Sequence, residues 1–510
     1  MSRRVVVIGH GMVGARFLEN VRRKDPSGVR VRLTVLGAEA RPAYNRVLLS
    51  TVLAGGLSAR SVELNPSGWA ARHRVDLRLG VAATGIDPVR REVSCSDGAV
   101  ERYDELVLAT GSRAWLPPVA GLTDGEAPAE GVAAFRDLDD CERILAMARP
   151  GARFAVLGGG LLGCEAARGL AGRGVRVTLL HPVGHLMERQ LDPGAGGVLA
   201  AALQRLGIEV RLDTSAVSWH PGEGLRCTDG TFVAADGVVV AAGVRAETDL
   251  AAQAGLAVDR GVLVDDRLAT SDDRIHAIGD CAQHPGSAAG LVQPGWEQAA
   301  VLADLLTGAA PAARYRGTRA VTRLKARDVD LAVVGDPAEL DGDGEVLRFA
   351  DPTGGRYAAL ALRADRVVGG VAIGLPDAAA SMVQFYDTGA PAPSDRLGLL
   401  LGRALPGGAT ETADPGRLPA SAMVCRCNSV TKGALVTAWR AGATDPGALR
   451  RATRAATGCG SCGDTVAGIC AWLASAEPAS SEPPLRAVAA ATAVSAVAPV
   501  TAVRSSEGAA

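Results

Sequence analysis

Aromatic residues make up only 3% of this 510-residue chain, and its formal net charge is −1. Such a balance leaves no global field to draw in nucleic acid or an anionic membrane, so neither is expected as a partner. Long apolar runs are missing as well. The nearest approach is AVAAATAVSAVAPVTAV between Arg486 and Arg504, 17 residues, Ala-rich and interrupted by Pro499. That is short and weakly hydrophobic for a spanning helix, and residues 474–510 read as a disordered tail. The start, MSRRVVVIGHGMVG, enters a strand pattern at once and leaves no room for the apolar region of a signal peptide. A cytoplasmic location is the expectation. Cysteines stay reduced there, so paired ones point to metal ligands or redox groups.

What is present is a chain long enough, at 48% hydrophobic, for about three or four domains. Two stretches share one design, 149 residues apart. RRVVVIGHGMVGARFLENV is a β-branched apolar run, a turn with Gly9, Gly11 and Gly14, then a helical pattern. ARFAVLGGGLLGCEAARGL repeats it with Gly158, Gly160 and Gly163. The first glycine permits a tight turn, the second lets a pyrophosphate approach the backbone, and the third lets helix and strand pack closely. The helix N-terminus then offers N–H groups and partial positive charge to the phosphates. Either copy alone could be a plain strand–helix turn. Two copies in full context predict two dinucleotide sites.

An acid for the adenosine ribose is expected roughly 20 residues beyond the first turn. Glu39 follows the strand pattern VRVRLTVLGAE and fills that role. In the second copy the corresponding strand ends at His181, which is not an anionic acceptor. It would tolerate a 2′-phosphate, or it is a solvated strand-end residue, so NADH versus NADPH stays open. Two later strand ends, Ala109-Thr110-Gly111-Ser112 and Gly279-Asp280, place small residues and a carboxylate where a flavin's ribityl chain would lie.

Taken together, Gly9–Gly14, ATGS, Gly158–Gly163 and AIGDCA resemble the two-dinucleotide-domain flavoprotein reductases of the pyridine nucleotide-disulfide oxidoreductase superfamily. RPAYNRVLLS (41–50), LMERQLD (186–192) and TRLKARDVDLAVVGD (322–336) narrow the resemblance. They look like the flavoprotein part of NAD(P)H nitrite reductase large subunits and the electron-transfer subunit of assimilatory nitrate reductase. The resemblance implies an α/β chain with two Rossmann-like domains. Residues 1–115 and 246–317 would bind FAD, and the inserted 116–245 would bind NAD(P)H. Residues 318–401 would be a small α+β domain with a homodimer contact allowed for. FAD contacts fall on Gly9, Gly11, Gly14, Glu39, Arg46, Thr110, Gly111, Gly279 and Asp280. Arg46 would hold phosphate or the flavin edge. Glu165 lies near the flavin by analogy, although a first-turn helix acid favoured by the dipole is the plain alternative.

Four of the ten cysteines crowd into one segment: Cys425-x-Cys427, 31 residues, then Cys459-x-x-Cys462. The residues between read as short helices, with Thr431 and Asp445 as N-caps. Large apolar residues are few, so residues 422–473 need a metal staple. Zinc is the competitor, but its pairs are usually C-x₂₋₄-C. The spacing and the GCGSCG loop resemble the [2Fe-2S] domain of bacterioferritin-associated ferredoxin, and a dithiol site is the remaining alternative. Six cations against two acids in residues 424–470 suit an anionic cluster, or mark a solvated helix face. Cys470 in AGICAWL reads as a buried helix residue.

A disulfide reductase of this fold would need a C-x₄-C run near the flavin, and none occurs between residues 15 and 94. Cys164 and Cys281 are single and read as packing residues. The expected chemistry is hydride transfer from NAD(P)H to FAD, then one-electron delivery through a [2Fe-2S] cluster. No side-chain acid or base is required, and none is named as catalytic. No sirohaem-type cysteine set follows, so the expected partner is a separate nitrate or nitrite reductase catalytic subunit. The Gly/Pro-rich 402–421 would be a linker that lets the cluster domain swing. A stand-alone NAD(P)H:ferredoxin or rubredoxin reductase is the alternative, and a zinc-containing redox-sensing or docking protein is a reading from another class.

Overall fold

The β-branched run Arg3–Ile8 sits in the middle of a sheet, and Val5 through Ile8 are all buried. A strand covered on both faces reads as a continuous apolar run, which is what a parallel sheet flanked by helices requires. The computed structural model describes residues 2–125, 127–285, 290–402, 415–428, 430–457 and 462–476, without the side chains of Arg417 and Cys427. Five parallel strands lie in the spatial order Ile275–Ala277, Glu105–Leu108, Arg3–Ile8, Val31–Gly37 and Val75–Leu79. The strand Ile275–Ala277 comes from far down the chain and brings Gly279 and Asp280 to the same sheet end as Gly9.

A second five-stranded parallel sheet orders Val132–Ala134, Gly237–Val240, Arg153–Leu157, Arg176–Leu180 and Glu209–Arg211. The chain leaves for this unit and returns from it through an antiparallel pair, Ser112–Ala114 with Val244–Ala246. That pair holds exit and entry together, so the second unit is an insertion into the first.

A third sheet is antiparallel, in the order Val321–Arg323, Leu331–Gly335, Arg366–Ile373, Arg356–Arg363 and Glu345–Asp351. Its strand Arg356–Arg363 is buried on both sides with period two. Tyr357, Ala359 and Ala361 join the core shared with the second unit, whereas Ala358, Leu360 and Leu362 pack with Met382 of the helix Pro376–Thr388. This sheet is thereby fixed against the second unit and carries Arg323 and Lys325 to the cavity beside Gly9.

The last unit has a short hairpin, Met423–Cys425 with Val430–Thr431, and three helices, Lys432–Arg440, Pro446–Thr453 and Gly463–Ala476. Thr431 accepts from the Ala434 N–H and Asp445 from the Ala448 N–H, which are the two N-caps expected. Each such cap is worth about 1 kcal/mol. Leu435, Leu449, Val466, Ile469 and Leu473 are fully buried and pack with Trp439 in one small core. The last helix runs to Ala476, into the segment assigned to the tail, with Leu473 as its anchor. Residues 403–414 of the expected linker and the tail from 477 lie outside the described residues.

Candidate functional site

Each glycine of the first turn has a separate task. Gly9 has φ 110°, a backbone region that L side chains avoid, and a Cβ there would sit 2.2 Å from the Ala109 carbonyl oxygen. A Cβ on Gly14 would sit 2.2 Å from the Gly9 carbonyl oxygen, so helix and turn are packed to the limit. Gly11, by contrast, faces open space, with nothing within 4 Å of its Cβ position. The second turn repeats this with Gly158, Gly163 and the open Gly160. Gly11 and Gly160 are the N-caps of the helices Met12–Lys24 and Leu161–Ala171. Two helix N-termini therefore look onto cradles kept clear of side chains.

The first cradle opens into a cavity of about 630 Å³. Glu39, Arg46, Thr110, Gly111, Gly279, Asp280 and Glu165 all line it, which brings together the expected flavin residues. Glu39 accepts from the Tyr44 hydroxyl at 2.9 Å and pairs with Arg46, whose guanidinium lies 5.3 Å from the Tyr44 ring centroid. The Thr110 hydroxyl donates to the Glu247 carbonyl at 3.0 Å. Asp280 Oδ2 accepts from Arg136 Nη2 at 2.7 Å and from the Ser112 hydroxyl at 3.0 Å. Arg136 is a residue that motif reading misses, since it is separated from Asp280 by 144 positions.

Glu165 is only 3% exposed and accepts from both the backbone N–H (3.0 Å) and the ammonium (3.2 Å) of Lys325. The Glu165–Lys325 ion pair is buried on the Glu165 side and open to the cavity. Beside the cradle, His10 is largely buried, and burial pushes its imidazole down to about 4. Its Nδ1 has no hydrogen-bond partner among the described residues.

His181 is not the solvated strand-end residue of one reading. Its side chain is 4% exposed, its Nδ1 accepts the Gly159 N–H at 3.0 Å, and its Nε2 lies 3.1 Å from Glu188 Oε2. The ring folds back under the second glycine turn instead of reaching into solvent. The choice between NADH and NADPH is left open by this buried ring. The Met187 N–H donates to the Gly159 carbonyl, so the loop after the strand is pinned to the turn and carries Glu188 there.

Cys425 and Cys462 are buried, and both line the same cavity as Gly9, Thr110 and Asp280. A hydrogen bond with Cys462 draws the Cys425 thiol below its usual range. Backbone N–H groups of Ala456 and Asn428 act the same way, against the effect of burial. Cys459 and the Cys427 side chain lie outside the described residues. Elsewhere burial raises the thiols of Cys164 and Cys281, as suits inert packing groups. Among the described residues no cysteine is in a disulfide, and no helix is long and apolar enough to cross a membrane.

Two parallel sheets, one inserted in the other's chain and each with a glycine cradle, define a two-dinucleotide flavoprotein. Residues 3–301 match the pyridine nucleotide-disulphide oxidoreductase family, and the chain belongs to that family. Residues 423–472 match the BFD-like [2Fe-2S] binding domain. The chain is 34% identical over 466 residues to an NAD(P)H nitrite reductase of Bacillus subtilis (strain 168), covering 90% of this chain and 56% of that one. It is 32% identical over 489 residues to the assimilatory nitrate reductase electron transfer subunit of the same strain, covering 93% and 60%. Among solved structures, the covalent putidaredoxin reductase–putidaredoxin complex superposes with a TM-score of 0.71 at 26% identity, over 79% of this chain and 97% of that one. The chain thus spans somewhat more than half the length of these curated relatives.

FAD and NAD(P)H go with the first family match and a [2Fe-2S] cluster with the second. The residues fit these groups. The open Cβ positions at Gly11 and Gly160 leave room for two pyrophosphates, and His10, whose Nδ1 has no partner among the described residues, lines the first cavity. Cys425 and Cys462 present buried sulfurs to one space, and the Cys425 thiol is drawn below its usual range.

Proposed function

We propose that this chain is the NAD(P)H-dependent FAD/[2Fe-2S] reductase that feeds electrons singly to a separate nitrate or nitrite reductase catalytic subunit in the cytoplasm. The observation that carries the reading is the shared cavity: Cys425 and Cys462 line the same space as Gly9, Thr110 and Asp280. Electron transfer needs no bond between the two centres, only proximity and a held geometry. In this reading Gly9, Gly11, Gly14, Glu39, Arg46, Thr110, Gly111, Gly279 and Asp280 bind FAD. Gly158, Gly160 and Gly163 bind NAD(P)H, with Glu165 near the flavin, and His181 supports the second turn. Cys425, Cys427, Cys459 and Cys462 hold the cluster. When bound, the flavin accepts a hydride and releases single electrons, which the cluster can carry.

The residues set positions. Helix N-termini hold the phosphates, the Glu165–Lys325 pair fixes charge beside the reacting ring, and contacts between units seat the cysteines. The domain division expected from the sequence belongs to the same proposal, as does a homodimer contact on residues 318–401. A stand-alone reductase for a soluble ferredoxin is less well supported, because the chain's own cysteines already stand at the cavity where such a carrier would dock. The test is reconstitution. Mixed with a purified nitrate or nitrite reductase catalytic subunit, the chain should drive NAD(P)H-dependent product formation at a rate saturating in that subunit. Failure with both subunits, alongside rapid turnover with a ferredoxin, would transfer the assignment to the alternative.

A further inference from the structure

Asn428 stands at a junction that neither glycine nor cysteine patterns reveal. It is 1% exposed and three residues past Cys425, at the end of the tight turn Arg426–Asn428. Its amide nitrogen lies 3.7 Å from Cys425 Sγ, 2.7 Å from the Arg454 carbonyl and 3.2 Å from the Thr457 hydroxyl. The amide therefore ties the arm bearing the first cysteine pair to the loop that leads into the second. Its backbone carbonyl accepts from Arg16 Nη2 at 2.9 Å, across 412 positions of sequence.

Arg16 belongs to the helix that starts at the first glycine cradle, and its guanidinium rests 4.5 Å from the Trp296 ring centroid. On the same helix Glu19 accepts from Arg454 Nη2 at 2.6 Å, and Arg454 also reaches Asn65 Oδ1 at 3.0 Å. Both ends of the Asn428 bridge are thus gripped by the flavin-binding unit, Asn428 itself by Arg16 and Arg454 by Glu19.

We propose that Asn428 is a positioning residue that raises the reduction potential of the cysteine-bound cluster through its N–H···S contact with Cys425, and that Arg16 makes this setting depend on docking. An N–H dipole or a cation aimed at a ligating sulfur stabilises the more negative, reduced state. The Arg16 cation and a firmly held amide act together only when the small unit is seated against the helix Met12–Lys24. The centre then accepts an electron most readily where the flavin can supply it. The inference adds no bond-making step and alters only where a one-electron couple is poised. It rests on the [2Fe-2S] assignment and not on the identity of the acceptor.

The experiment is a mediated redox titration of the full chain, purified without oxygen, with the reduced cluster followed by its paramagnetic resonance and iron counted in parallel. At the potential where the wild type is half reduced, N428L should show a reduced-to-oxidised ratio about tenfold lower, or ~59 mV for one electron. R16Q should show a smaller drop in the same direction, and R16K should restore most of it. A fully loaded N428L with an unshifted midpoint would overturn the proposal. If N428L loses iron, R16Q decides, because it alters no residue of the cluster-bearing unit: an unshifted R16Q midpoint overturns the proposal and a lowered one supports it. Zinc in the wild-type chain would instead remove the cluster assignment itself.

Discussion

Gly11 and Gly14 are three positions apart in one turn, yet alanine should act on them in opposite ways. At Gly14 a methyl carbon would sit 2.2 Å from the Gly9 carbonyl oxygen. Comfortable contact is roughly 3.5 Å, so backbone must move by about an ångström, which costs about 1–3 kcal/mol as overpacking. At Gly11 nothing lies within 4 Å and φ is −87°, so the folded chain accommodates a methyl. The only cost is a poorer helix N-cap, at most ~1 kcal/mol. That methyl projects into the space kept for the pyrophosphate, and FAD affinity should fall by at least about tenfold, or ~1.4 kcal/mol. Thermal unfolding of the flavin-stripped chains and flavin binding by fluorescence separate the two effects. G14A should lose stability before flavin is added, whereas G11A should unfold near the wild-type temperature and bind FAD poorly. A G11A chain that binds FAD as the wild type does, or a G14A chain as stable as G11A, would refute the reasoning.

Other outcomes follow from the same geometry. G160A should leave flavin content intact and raise the KM for the nicotinamide nucleotide by about tenfold or more, read in steady-state assays with an artificial acceptor. C425S and C462S should lose iron while NAD(P)H still bleaches the flavin, as visible spectra would show. E188A should weaken NADH more than NADPH, since Glu188 is the carboxylate held beside the second turn by His181; an equal effect on both would remove that role. His10 gives a pH dependence. Its folded imidazole takes a proton only near about 4, against 6.5 when unfolded, so the unfolded chain binds more protons in between. Stability of the flavin-free chain should fall as pH drops through that window, and H10N should flatten the slope in denaturant titrations.

The two glycine turns and the returning Asp280 were legible because each is a local pattern at the end of a strand, and the cysteine segment because its spacing matches a known [2Fe-2S] domain. What stayed hidden is long-range. Lys325 meets Glu165 across 160 positions, Arg136 meets Asp280 across 144, and Arg16 meets Asn428 across 412. No periodicity reports such pairs, because they arise from how units pack rather than from how a segment folds. His181 shows the reverse hazard. A polar residue at a strand end reads as solvent-facing, yet the glycine turn supplies an N–H that draws its ring inward.

The decisive measurement is anaerobic rapid mixing of the full chain with NADH, and separately NADPH, while the flavin and the iron–sulfur absorbance are followed together. The shared cavity predicts that flavin bleaching is followed by iron–sulfur bleaching in a first-order phase whose rate does not change with protein concentration. Slowing of that phase in proportion to dilution would show that electrons pass between molecules. A reduced flavin beside an unchanging cysteine site would contradict the electron path altogether.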